Sequence, residues 1–117
     1  RRAVFSVAVH NTDDHLGNHG FLRAAGGWTP SPAFDINPNP DMGVRRELVI
    51  AAALDPADEA RALREAAPAF GVDRGVAKEI IAQVSDATRT WRECAATNGV
   101  PARELRLMEN AFAPLNH

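Results

Sequence analysis

Apolar positions follow two regimes along the chain. Residues 1 to 10 carry Ala3, Val4, Phe5, Val7, Ala8 and Val9, a short cluster consistent with either a buried helix end or a strand. Residues 11 to 20 are dense in Asn, Asp, His and Gly, a composition that favours an irregular loop held by hydrogen bonds from side chains to backbone. Phe21-Leu22-Arg23 and Trp28 to Phe34 then flank Ala24-Ala25-Gly26-Gly27, which predicts a short β-hairpin with glycines supplying the positive φ of a tight turn. Asn37-Pro38-Asn39-Pro40 ends that unit, because proline lacks an N–H and restrains the residue before it. A loop runs from there to about Gly43. The apolar stretch Glu47 to Ala53 reads as a short buried strand or as the approach to a helix.

Beyond Asp55 the spacing becomes helical. Asp55 is placed to cap a helix that begins at Pro56 and carries Ala60, Leu63 and Ala67 on one face, up to Pro68 and Gly71. Asp73 is placed to cap the longest predicted element, about Arg74 to Thr97, with Gly99 at its end. Val76, Ile80, Val84, Trp91 and Ala95 would form its core stripe. Pro101 opens a last helix, with Leu105, Met108 and Phe112 on one face and Pro114 as its stop. The layout predicts a mainly α single domain, 1–117, in which a polar loop and one short β-hairpin precede a helical bundle.

Composition adds bounds. With 117 residues, 45% hydrophobic and 24% charged, the chain falls within the range of one globular domain. Cys94 is the only cysteine, so no internal disulfide forms; it reads as a small core residue of a cytoplasmic protein. A formal net charge of −2 gives no general affinity for nucleic acid or an anionic membrane. No apolar run is long enough to span a bilayer. Of the 13 basic residues only Lys78 is a lysine, and it falls inside a predicted helix, not on a nucleotide-binding strand or glycine-rich loop. Arg45-Arg46 reads as a solvated surface pair, so direct DNA contact is not expected. The chain starts without Met, close to its most polar stretch, and is read as a fragment whose N-terminal nucleotide-binding part is absent.

The candidate chemistry lies in Asn11-Thr12-Asp13-Asp14-His15-Leu16-Gly17-Asn18-His19-Gly20. Phosphoryl transfer needs metal ions that neutralise phosphate oxygens and a carboxylate that orients the attacking hydroxyl. Protein kinases draw these from a loop Asp with Asn five residues on, and from a second Asp presented after a hairpin. Asp13 and Asn18 have the first spacing, and Asp35 stands at the hairpin exit, 22 residues after Asp13. Carboxylate and amide oxygens suit Mg²⁺, a hard cation that keeps several waters and needs no closed protein cage.

Asp13-Asp14-His15-Leu16-Gly17-Asn18 resembles the D-x-H-x-x-N catalytic loop of HipA-type and phosphoinositide-type kinases, and Asn11-Thr12-Asp13 with Asn18-His19-Gly20 resembles the HipA family. Trp28 to Pro38 is similar to that family's segment ending in S-P-A-[FY]-D-[IL]-N-P. Phe70-Gly71, Thr90-Trp91-Arg92 and Met108 to Phe112 extend the likeness over essentially the whole chain. The resemblance implies a kinase C-lobe-like helical domain with Asp13 as catalytic base and His15 as a charge-stabilising or structural member of the loop. It makes Asn18 and Asp35 the Mg²⁺ ligands and leaves Asp14 without a role. It further implies an ATP- and Mg²⁺-dependent serine/threonine protein kinase, the toxin of a bacterial toxin–antitoxin pair with a DNA-binding antitoxin partner. The chain alone would be inactive. The sequence departs from ordinary protein kinases: no His-Arg precedes Asp13, and Asn37 stands where Asp-Phe-Gly has glycine.

Two other readings compete. His10, Asp13, Asp14, His15 and His19 could ligate a transition metal in a hydrolase, although the spacing matches no helix-borne ligand pair and leaves Asp35 unexplained. Alternatively, the helical stripe with Trp91 could serve a non-catalytic interaction module, although apolar residues at helical spacing are more often core.

Overall fold

The computed structural model describes residues 1–53, 55–112 and 115. The fold is mainly α with one two-stranded antiparallel hairpin. The first apolar cluster is a helix, α1 (Arg2–Ala8), with Val4, Ser6, Val7 and Ala8 buried. It packs against two longer helices, α2 (Pro56–Ala66) and α3 (Arg74–Arg89), which also pack on each other. Small side chains dominate the core: Val4, Val7, Ala8 and Val9 meet Ala62, Ala67 and Ala77. Close approach of two helices to a short central one explains why alanine is favoured there.

The end of α1 determines where the polar loop begins. The Asn11 N–H donates to the Ser6 carbonyl at 2.8 Å and the His10 N–H to the Val7 carbonyl at 3.1 Å, the paired bonds of a Schellman turn. His10 occupies the left-handed position of that turn with φ 47°, at a cost of about 1 kcal/mol for a residue other than glycine. Its ring is buried, and Nε2 lies 3.2 Å from the Asp41 carbonyl. Loop and helix are thereby locked together at the first loop residue.

The hairpin forms as predicted in kind but is shorter. β1 (Phe21–Ala24) pairs with β2 (Gly27–Pro30) in the register Phe21↔Pro30 to Ala24↔Gly27, around Ala25 and Gly26. Gly27 carries the positive φ, 130°. The Ser31 N–H adds one more rung to the Gly20 carbonyl at 2.8 Å, and pairing ends well before Phe34. Phe21, Leu22 and Trp28 are exposed.

Both caps at Asp55 and Asp73 are present: Asp55 accepts from the Ala57 N–H at 2.9 Å and Asp73 from the Gly75 N–H at 2.7 Å. The predicted helix from Arg74 to Thr97 is two helices, α3 and α4 (Trp91–Thr97), divided at Thr90. Thr88 Oγ1, two residues before the division, donates back to the Val84 and Ser85 carbonyls at 3.0 and 3.2 Å, a bond type that often bends helices. α4 ends in a second Schellman turn at Gly99, φ 84°. α5 (Ala102–Met108) follows, continued by a 3-10 turn over Glu109–Phe112. The expected stop at Pro114 lies outside the described residues.

Three expectations about buried positions change. Val76 is 47% exposed, and the position of α3 that is buried is Ala77, one residue round the helix. Trp91 is half-buried, stacked on Phe112 with ring centroids 4.4 Å apart, while the Arg92 guanidinium lies 5.1 Å from its ring centre. Cys94, on the short α4, is exposed and not a core residue. Residues 47–53 form neither strand nor helix: consecutive left-handed residues, Ala51 and Ala52 at φ 45° and 61°, turn the chain before α2.

Candidate functional site

Loop residues 11–20 leave α1 with alternating fates: Asn11, Thr12 and Asp14 are buried, Asp13 is exposed. Asn11 Oδ1 accepts from the Asp13 N–H at 3.1 Å, an Asx turn that presents the Asp13 carboxylate to solvent. Asn39 reaches in from the segment after the hairpin, its N–H donating to the His10 carbonyl at 3.2 Å and its Nδ2 to Thr12 Oγ1 at 2.7 Å. A 3-10 turn over Leu16–Asn18 then aims Asn18 back along the loop. Asn18 Nδ2 donates to the Asp13 carbonyl at 3.1 Å and to Asp35 Oδ2 at 3.2 Å. Asp35 itself is exposed and left-handed, φ 54°, with Asn37 Nδ2 at 3.4 Å from its other oxygen and Asn11 Nδ2 at 3.1 Å from its backbone carbonyl.

Asp13, Asn18 and Asp35 are thus brought together by hydrogen bonds. His15 is placed differently. It caps the 3-10 turn, with Nδ1 accepting from the Gly17 N–H at 3.1 Å. In the neutral ring that leaves Nε2 to carry the proton. A Cβ on Gly17 would lie 2.9 Å from His15 Nδ1 and Cε1, so the ring rests directly on that glycine. Asp14 is buried and pairs with His19, Nε2 to Oδ1 at 2.6 Å.

A hollow of about 320 Å³ opens beside Asn18 and Asp35, walled by Arg1, Arg2 and the apolar Phe34 and Ile36. Arg2 also donates to the Ser31 carbonyl, tying α1 to the hairpin exit.

The Asn11 backbone also meets a buried ion pair that no local pattern predicts. Arg46, read above as half of a solvated pair, is 8% exposed. Its Nε donates to Glu59 Oε1 at 2.6 Å and its Nη2 to Glu59 Oε2 at 3.2 Å, with both side chains buried. The same guanidinium donates to the Asn11 carbonyl and, at 3.2 Å, to the Ser6 carbonyl. Each guanidinium nitrogen has a partner, as burial of a charge requires. Arg45 is the exposed neighbour. Arginine next to arginine carries no local signal of burial, since the partner Glu59 sits on α2 and only the tertiary fold joins them.

The grouping of His10, Asp13, Asp14, His15 and His19 as metal ligands is not assembled. His10 faces the Asp41 carbonyl, His15 faces its own turn, and His19 pairs with Asp14. Among the described residues, no group of three or more His, Cys, Asp or Glu is arranged to hold a metal ion.

The donor chemistry at Asn18 and Asp35 does fit Mg²⁺. One carboxylate and one amide oxygen, adjacent and partly exposed, leave room for water and phosphate oxygens. Asn18 turns its nitrogen toward Asp35, so ligation by its oxygen requires the amide to rotate and exchange that hydrogen bond for the ion.

A short helix ending in a polar loop, a hairpin, and an Asp returned to that loop define a mainly α domain with an acidic, amide-bridged site. The family model of the HipA-like C-terminal domain matches residues 1–91, and the chain belongs to that family. The match covers the loop, the hairpin and α1 to α3 and ends at Trp91, short of the Met108 to Phe112 segment. No curated protein and no solved structure matches the chain. Among the described residues, no helix is long and apolar enough to cross a membrane.

Proposed function

We propose that this chain carries the metal-binding and hydroxyl-activating part of an ATP- and Mg²⁺-dependent serine/threonine protein kinase of the HipA type. The observation that supports the reading most is the Asn18 amide, which bridges the Asp13 backbone and the Asp35 carboxylate. It brings the loop that carries Asp13 and Asn18 up to the Asp35 carboxylate, the residue types that phosphoryl transfer asks of a protein.

In this reading Asp13 accepts the proton of a serine or threonine hydroxyl as the hydroxyl oxygen attacks the γ-phosphorus. The bond from that phosphorus to the bridging oxygen breaks, and ADP leaves. Asp35 and the Asn18 amide oxygen would hold Mg²⁺, which when bound would neutralise charge on the phosphate oxygens. His15, oriented by the Gly17 N–H, offers an Nε2–H to developing negative charge. The Asn11 turn keeps Asp13 facing outward for the hydroxyl.

The 117 residues contain no glycine-rich phosphate loop, and their one lysine, Lys78, is exposed on α3. Nucleotide contacts therefore come from elsewhere in the active protein, and the chain by itself does not turn over ATP. Action as the toxin of a cytoplasmic toxin–antitoxin pair, opposed by a DNA-binding antitoxin, belongs to the same proposal and rests on family membership.

The test is ATP-dependent phosphorylation of protein hydroxyls by the full-length protein. Asp13→Asn is expected to slow it about 10²-fold or more. Unchanged rates in both Asp13→Asn and Asp35→Asn would remove the assignment.

A further inference from the structure

Asn11 occupies an unusual place: 3% exposed, it touches both carboxylate-bearing segments and the buried ion pair beneath them. Its Oδ1 takes the Asp13 N–H at 3.1 Å, its Nδ2 gives to the Asp35 carbonyl at 3.1 Å, and its own carbonyl accepts from Arg46. A primary amide can donate and accept at once, which aspartate, serine or alanine cannot match in this geometry. The two segments are 22 residues apart, and Asp35 sits in a left-handed conformation that its own chain disfavours. Something outside the segment must hold it. The Asn11 amide makes that contact, and Arg46, anchored by Glu59 on α2, holds the Asn11 backbone.

We infer that Asn11 is the positioning residue of the site: its side-chain amide sets the spacing between Asp13 and Asp35, with the Arg46–Glu59 pair as its anchor. This rests on the metal-site reading above and extends it to a residue that itself touches neither ion nor substrate. Side chains standing behind metal ligands commonly govern affinity by 10- to 100-fold.

The probe is Mn²⁺ alone, titrated into the 117-residue chain and followed by paramagnetic broadening of backbone and side-chain resonances at Asn18 and Asp35. Asn11→Ala should weaken Mn²⁺ binding about 10-fold or more. Val7→Ala, a core variant that removes none of those side-chain hydrogen bonds, should leave the affinity within about twofold despite its stability loss. Equal affinity in Asn11→Ala and the unchanged chain, or equal weakening in Val7→Ala, would overturn the inference. Hydrogen exchange of the Asp13 N–H in the unchanged chain gives a second readout that needs no folded variant. Protection at this exposed loop residue supports the Asn11 contact, and exchange at the open-loop rate overturns it. Absence of broadening in the unchanged chain would sink the metal-site reading, while the Asp13 exchange would still decide whether Asn11 ties the loop.

Discussion

Arg46 and Glu59 form a buried two-point ion pair, with Nε–Oε1 at 2.6 Å and Nη2–Oε2 at 3.2 Å, between the end of the polar segment and α2. Because two further guanidinium protons are given to the Ser6 and Asn11 carbonyls, the pair joins α1, the loop and α2 at one point. Each partner alone would be an uncompensated buried charge. Glu59→Gln is therefore expected to destabilise the chain by about 3–5 kcal/mol, read as a lower denaturant midpoint. Arg45→Ala, one residue away and exposed, should change stability by no more than about 0.5 kcal/mol. Similar effects from the two substitutions would show that Arg46 is not buried.

Asp35 separates charge from backbone conformation. At φ 54°, asparagine adopts the left-handed geometry at lower cost than alanine. Asp35→Asn should keep the thermal midpoint of the unchanged chain and lose Mn²⁺ binding. Asp35→Ala should lose both binding and about 1 kcal/mol of stability. Thermal denaturation with and without Mn²⁺ checks both, and retained binding in Asp35→Asn would remove that carboxylate from the site.

The sequence exposed the features that are local in cause. Asp55 and Asp73 as caps, Gly99 as a terminator and the Ala25-Gly26 turn rest on chemistry within a few residues, and each was readable. The meeting of Asp13, Asn18 and Asp35 was anticipated from spacing because a loop and a hairpin leave few other geometries. Features decided by distant partners were not readable. The division at Thr90 falls inside an apolar stripe that predicts one continuous helix, two residues after Thr88, whose hydroxyl bonds back to the Val84 carbonyl. Asn11 carries the densest bonding of the loop, yet its identity shows only that it suits a turn. Which segment receives its amide depends on where the chain comes back.

Cys94 gives a direct check on the position of α4. Its exposure predicts that the thiol reacts with a water-soluble disulfide reagent in the folded chain about as fast as in a short peptide. A thiol that reacts only after addition of denaturant would place Cys94 in a core and α4 in continuous register with α3. Cys94→Ser should change stability by less than about 0.5 kcal/mol.

Gly17 and His15 provide the last prediction. The His15 ring lies against Gly17, whose N–H it accepts, and a Cβ there would come within 2.9 Å of Nδ1 and Cε1. Ordinary side-chain contacts do not reach that distance, so Gly17→Ala must displace the ring and break the bond that makes Nδ1 the acceptor. Nitrogen-15 spectra of the imidazole should show the Nε2–H form dominating in the unchanged neutral ring and losing that preference in Gly17→Ala. The loop is exposed at this point, so stability should fall by no more than about 1 kcal/mol. If His15 must present Nε2–H toward the reacting groups, Gly17→Ala in the full-length protein lowers kcat and leaves the KM for ATP nearly unchanged. If kcat is unaffected while the tautomer changes, His15 serves only to cap its turn, and the charge-stabilising role passes to the ion and to other residues.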